Sequence, residues 1–184
     1  MSLSIVTVRS QTELDKLSSA CNTEVKIAFG DLAHPADVHR QLKYPVRIEP
    51  GFCAAVRQKN KVRHARRCTI FAYDQSVIGA TSCTVYATDN AYISAKGESK
   101  VVLSRESYAD LWDACIGIAT EDSCIEAHDE SSVEARDSSV IFLWDSATAV
   151  IKSADVEVEN ASDVPESAIT RDIAVPFEFS EGTA

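Results

Sequence analysis

Carboxylates recur in the second half of this chain at intervals that could do chemistry. Asp113, Glu121, Asp122, Asp129, Glu130, Asp137 and Asp145 fall at successive turns, and Glu126 and Glu134 stand between them. Paired acids serve glycoside hydrolysis, in which one protonates the leaving group while the other acts as base or nucleophile. Such sites in carbohydrate-active β-helices add a basic residue on the same face. No Arg or Lys cluster accompanies these acids, so no catalytic group is expected and the chain reads as non-enzymatic. Acidic turns can also hold calcium, but the Gly-rich nonapeptide of calcium-binding solenoids is absent. What remains is electrostatic. Rows of carboxylates on a narrow body either keep a β-rich protein soluble or offer nucleic-acid-like charge to a groove built for DNA or RNA. Trp112 and Trp144 each precede a turn Asp, where they either pack across the corner or form an exposed stripe suited to an interface.

The other reactive side chains are less suggestive. Cys21, Cys53, Cys68, Cys83, Cys115 and Cys124 make an even count, but no pair has CxxC spacing. His34, His39, His64 and His128 show no zinc spacing, so neither a metal nor another cofactor is expected. Three of the thiols share a column with Ser and Ala, where a free Cys behaves as a small hydrophobe. Free thiols in a reducing, cytoplasmic setting are therefore expected. A basic run, Arg57, Lys59, Lys61, Arg63, Arg66 and Arg67 with His64 among them, lacks interleaved aromatics for stacking bases. It reads as a solvated face or an internal partner for the acids, and direct nucleic acid binding is not expected. Up to Arg67 the chain has twelve Lys or Arg and six Asp or Glu, a net of +6. The totals of 18 and 28 leave six and twenty-two beyond it, a net of −16.

The elements that must carry these residues follow from an eight-residue repeat between about Phe52 and Ile151. Small residues recur at Asn60, Cys68, Ser76, Cys83, Ala91, Ser99, Ser107, Cys115, Ser123, Ser131, Ser139 and Ala147, with one residue missing between Ser76 and Cys83. Two residues on comes an aliphatic column that includes Ile93, Val101, Ile125, Val133 and Ile141, and two further on a column of Ala and Leu. Side chains two apart on a strand share a face, so the three columns point inward and residues such as Glu126, Glu134 and Tyr92 point outward. A fixed short period is the signature of a solenoid, here an all-β parallel β-helix of short strands and acidic turns. Two repeats per coil give sixteen residues and three give twenty-four; sixteen is preferred. At sixteen, Trp112, His128 and Trp144 form one row, Tyr92 lies beneath Tyr108, and Cys68 meets Cys83. Asp113, Asp129 and Asp145 then align on one edge, Glu121 and Asp137 on another.

Three regions are expected. Residues 1–51 form a small α/β N-terminal cap: a strand over 4–8, a helix over 11–20 capped by Ser10 and Glu13 with Leu14, Leu17 and Cys21 on one face, a strand over 23–29, and a loop over 31–44 with a helical turn. Residues 52–160 form the solenoid. Residues 161–184 form an acidic tail or cap with one apolar strand, 173–179. Met1 to Val8 has neither a basic n-region nor a long apolar run, so no signal peptide is expected, and no membrane span is read anywhere.

The opening Ser-Gln-Thr-Glu-Leu-Asp-Lys-Leu at Ser10 to Leu17, followed by repeats such as Asp137-Ser138-Ser139-Val140 and Asp145-Ser146-Ala147-Thr148, resembles octapeptide-repeat β-solenoid proteins of bacteriophages and prophages. The chain is more acidic at its turns and less Gly-rich than that pattern. The resemblance implies a phage or prophage source and carries over no functional residue. With the charge pattern it leads to an expected interaction protein that blocks a nucleic-acid-binding host complex, such as a CRISPR effector, in the host cytoplasm. Its partner-binding residues would be the nine acids named above with Trp112 and Trp144. The alternative is a structural or scaffolding solenoid of a virion or its assembly, and self-association is open under both readings.

Overall fold

A computed structural model describes residues 5–17, 23–160 and 164–173 of the 184. In chain order the elements begin with β1 (Ile5–Val8), α1 (Gln11–Lys16), β2 (Glu24–Ile27), β3 (Ala36–Val38), β4 (Val46–Ile48), β5 (Cys53–Val56) and β6 (Lys61–Arg66). They continue with β7 (Thr69–Ala72), β8 (Val77–Thr81), β9 (Thr84–Ala87), β10 (Tyr92–Lys96), β11 (Lys100–Leu103), β12 (Tyr108–Leu111) and β13 (Ile116–Ala119). The last are β14 (Cys124–Ala127), β15 (Ser132–Ala135), β16 (Val140–Leu143), β17 (Thr148–Ile151), β18 (Glu157–Asn160) and β19 (Ile169–Arg171). Successive strands alternate between two parallel sheets. Sheet A holds ten strands, from β1 through β2 and the even-numbered ones to β18; sheet B holds nine, the odd-numbered β3 to β19.

The molecule is a parallel β-solenoid of about ten turns with sixteen residues per turn. Strands about 4.8 Å apart make sheet A roughly 43 Å long. The inward columns stack in register: Ile93, Ala109, Ile125 and Ile141 in sheet A, Val101, Gly117, Val133 and Ala149 in sheet B. All but Gly117 belong to the buried core. Parallel pairing occurs because each strand meets the next in its sheet only after a full coil, so every inward residue packs on its own column mate. No helix among the described residues is long and apolar enough to cross a membrane.

The turns explain the acidic repeat locally. The residue after each strand's flanking position takes a positive φ, between 54° and 62° at Asp74, Asp89, Arg105, Asp113, Glu121, Asp129, Asp137 and Asp145. Asp tolerates this left-handed conformation better than most non-Gly residues. At Asp74, Glu121, Asp129, Asp137 and Asp145 the turn closes through a backbone N–H donated three residues back, as from Ser131 to the His128 carbonyl. The buried Ser column adds a second closure. Ser99, Ser107, Ser123 and Ser139 each donate an Oγ–H to the carbonyl three residues earlier, at 2.7 Å.

Sheet pairing starts at β1, well before Phe52. Strands β1, β2 and β4 already belong to sheet A and β3 to sheet B, so the segment expected as a cap consists of coil strands plus one short helix. Within it, β3 replaces the helical turn expected over 31–44. Helix α1 forms the Ser10 half of its expected capping box, the Ser10 Oγ accepting from the Glu13 N–H at 3.2 Å, while the Glu13 carboxylate accepts one residue earlier than the box requires, from the Arg9 N–H at 2.6 Å. The Gln11 amide accepts from the Asp37 N–H and donates to the Asp37 carbonyl, so α1 covers the open edge of β3. Residues 18–20 of the expected helix, Cys21, and nearly all of the expected strand 173–179 lie outside the described residues.

One irregularity is hidden by the period. Asn60 and Cys68 are eight apart, yet β6 carries a bulge: Val62 pairs with Ile78 and Ala65 with Ala80, leaving Arg63 and His64 together opposite Gly79. The turn after it, like the turn at Ser82 that lacks one residue, is short, and the gain offsets the loss. Regular spacing would turn His64 inward; the bulge puts Ala65 there and leaves His64 exposed, avoiding burial of an imidazole.

Cys53, Cys68, Cys83, Cys115 and Cys124 are free thiols. The Sγ atoms of Cys68 and Cys83 meet at 3.5 Å between adjacent coils. All six cysteines should titrate as thiols in denaturant without reductant, and reductant should leave Tm unchanged. A fall in Tm on reduction would contradict this.

Candidate interaction face

The carboxylates divide over four surfaces. Asp113, Asp129 and Asp145, with Glu130 beside Asp129, lie on the edge where sheet A strands turn into sheet B. Glu121, Asp122 and Asp137 lie on the opposite edge. Glu126 is on the outer face of sheet A and Glu134 on that of sheet B, where it pairs with Arg136. The first edge and sheet A are contiguous, so Asp113, Glu126, Asp129, Glu130 and Asp145 share one region with Trp112 and Trp144. Glu121, Asp122 and Asp137 lie across the width of sheet A on its other edge, and Glu134 lies on the opposite sheet.

The edge carboxylates are not idle surface charge. On the first edge the three Asp side chains accept hydrogen bonds from the turn N–H of the preceding coil: Gly97 to Asp113 at 2.8 Å, Asp113 to Asp129 at 3.0 Å, and Asp129 to Asp145 at 3.4 Å. The opposite edge repeats this from Arg105 to Glu121 and from Glu121 to Asp137, at 2.9 and 3.1 Å. The donors would otherwise meet only water, so each carboxylate closes the neighbouring coil. The Asp side chains remain exposed on their outer side.

The aromatics form a continuous stack. Trp112 and His128 have ring centroids 4.1 Å apart and nearly parallel, and His128 and Trp144 are 6.0 Å apart. Lys96 lies over the far face of Trp112, with Nζ 5.6 Å from its centroid. The rings cover one another's faces and present edges to solvent, leaving Trp112 36% and Trp144 42% exposed. Both sequence alternatives therefore hold in part: the rings pack, along the rod rather than across the corner, and their edges make a stripe.

Beside the stack sits a cluster that the sequence did not single out. Asp110 precedes Glu126 in one outward column, and the stacked Tyr92 and Tyr108 rings, 5.3 Å apart, aim their hydroxyls at it. Tyr92 and Tyr108 both donate to the Asp110 carboxylate, Tyr108 at 2.9 Å. His128 Nε2 is 3.8 Å from Glu126 Oε2. Burial, then the bond to Asp110, pushes the Tyr92 phenol up to about 12. Burial and the Glu126 and Asp110 carboxylates push Tyr108 higher still, and burial with Glu126 raises the Cys124 thiol to about 11. The signal for Asp110 was its place sixteen residues before Glu126.

Because the folded Tyr92 pKa lies above the ordinary 10.0, its contribution to stability is complete below pH 10 and is lost as pH rises through about 12. In the native protein, phenolate absorbance should show two of the five tyrosines titrating late, whereas all titrate together in denaturant. Asp110→Asn should reverse part of the lag. A native titration identical to the denatured one would remove the cluster.

Among the described residues, no group of three or more His, Cys, Asp or Glu side chains is arranged to hold a metal ion. Comparison with protein-family models, with curated proteins and with solved structures finds no match to this chain.

Proposed function

We propose that this chain is a non-enzymatic interaction rod whose acidic half occupies a positively charged groove of a protein partner, in place of nucleic acid. The observation that carries this reading is the strip on sheet A and its adjoining edge, where Asp110, Asp113, Glu126, Asp129 and Asp145 surround the Trp112, His128 and Trp144 stack. Residues 110–160 contain thirteen Asp or Glu and two Lys or Arg, and both cations, Arg136 and Lys152, are already paired with carboxylates. The strip therefore keeps its charge for an outside partner, and the Trp edges offer the apolar anchor that binding hot spots favour. The likeness to phage and prophage octapeptide-repeat solenoids supports a phage-encoded inhibitor of a nucleic-acid-binding defence complex, of the CRISPR effector kind, acting in the host cell.

The test neutralises charge without breaking the turns. The variant carrying Asp113→Asn, Asp129→Asn and Asp145→Asn keeps an acceptor at each position and should lose capture of the partner from nuclease-treated host lysate. The same changes at Glu121 and Asp137, on the far edge, should leave capture intact. Duplex DNA or RNA should compete with the wild type, and rising salt should weaken it, because exposed charges are screened within about 10 Å at 0.1 M. Capture unaffected by the Asn set or by salt would reject the reading. The carboxylate-to-amide ladder favours a second one, a virion or assembly scaffold in which the acids serve only the turns; it predicts that capture is indifferent to both sets.

A further inference from the structure

The basic half contains a shaped depression of about 300 Å³ on the outer face of sheet A, at the β6 bulge. Its lining includes Arg63, His64, Arg66, Thr81, Ser94 and Lys96, with Gly79 as the floor. The bulge crowds the site with side chains: a regular strand presents one outward residue opposite Gly79, whereas β6 presents Arg63 and His64 together. Arg66 and Lys96 flank Thr81 in the next column. Gly79 keeps the floor low, since a Cβ there would lie 3.1 Å from the Arg63 carbonyl oxygen.

Arg63, His64, Arg66 and Lys96 make no ion pair among the described residues, although the chain as a whole carries a net charge of −10. Three other cations of this half are paired, Arg47 with Glu24, Arg57 with Asp37 and Lys26 with Glu49. We propose that this depression is a binding site for a small phosphate ester. Two guanidinium forks match phosphate oxygens in pairs, the ammonium adds charge, the imidazole a further ring N–H, and the Ser94 and Thr81 hydroxyls supply neutral donors. The next outward residue beyond Ser94 in the column is Asp110, followed by Glu126. A polyanion laid along the rod would meet these carboxylates, so the site takes a single phosphate group and not a long strand.

Calorimetric titration of the full chain at low ionic strength tests this with inorganic phosphate, adenosine monophosphate and a single-stranded oligothymidylate as probes. Adenosine monophosphate should bind saturably at one site, at least as tightly as inorganic phosphate. The double variant Arg63→Ala, Arg66→Ala should weaken it by about tenfold or more, while Lys59→Ala, an exposed cation outside the depression, should leave it unchanged. Gly79→Val keeps Arg63, His64, Arg66 and Lys96 and fills the floor; with its circular dichroism unchanged, it too should lose binding. Absence of saturable binding by either small probe would overturn the proposal. So would equal weakening by Lys59→Ala, wild-type binding by Gly79→Val, or an oligothymidylate preference of about tenfold or more over adenosine monophosphate.

Discussion

Ile125→Asp is expected to break the rod at its middle. Ile125 is fully buried, stacked between Ala109 and Ile141, and its Cδ1 fills the space that Gly117 leaves across the core, 2.8 Å from where a Cβ on that glycine would stand. Removing the side chain alone costs about 2–5 kcal/mol, and a carboxylate with no partner in that core adds several more. The sum rivals the roughly 5–15 kcal/mol that stabilises a whole domain. Coils of a solenoid depend on their neighbours, so the coils before and after residue 125 should separate into two transitions in urea. Val133→Asp, one half-coil away, should behave alike. Glu134→Ala, which removes an exposed pair with Arg136, should change stability by no more than about 1 kcal/mol. Equal loss from the inward and outward substitutions would show that parity does not assign the faces.

The edge ladder should give the second large effect. In Asp113→Ala, Asp129→Ala, Asp145→Ala the three turns lose a residue suited to positive φ, at roughly 1–2 kcal/mol each. The turn amides of Gly97, Asp113 and Asp129 lose their acceptors, at about 1 kcal/mol each where water replaces them. Together the three should cost about 5 kcal/mol or more in urea denaturation, since both terms fall on every turn. The Asn triple keeps the acceptor and the conformational preference, so its loss should stay below about 1 kcal/mol. Reversal to Lys would confound binding with folding, because it deletes the same acceptors. If the Ala and Asn triples melt alike, the carboxylates do not close the turns.

The core columns, the sixteen-residue coil and the Trp112, His128 and Trp144 row are legible in the sequence because parity and period survive in every repeat from Val85 to Ile151. The first coils are not, since the inward residues Val25 and Val46 are separated by the excursion that carries β3 and its flanking loops, and no period spans it. The bulge at Arg63 and His64 is invisible for a different reason: a residue gained in the strand offsets one lost in the turn. The acids were legible as ladders but not as turn closures, because Asp suits a surface, a positive φ and a backbone acceptor alike. Asp110 lies outside the acidic turns; the sequence marks it only as one coil before Glu126, and the fold brings the Tyr92 and Tyr108 hydroxyls to it.

The interlocked turns make the rod a ratchet with two kinds of step. Because every bond in the ladder joins residues one coil apart, inserting a second copy of residues 104–119 after Leu103 leaves each donor with a carboxylate one coil on, Gly97 now meeting the copied Asp113. It moves the Trp112 strip about 4.8 Å farther from the Arg63 depression without rotating it. An eight-residue insertion at the same point would also fold locally, yet it would exchange the sheets beyond it. The acidic strip would then face the side opposite the basic depression, with Asp113 and Asp129 on the edge that Glu121 holds in the native chain. Partner capture by the two insertion variants therefore separates distance from orientation. A partner that contacts only the strip tolerates both, and one that spans both halves of the rod tolerates neither the half-step nor many whole ones.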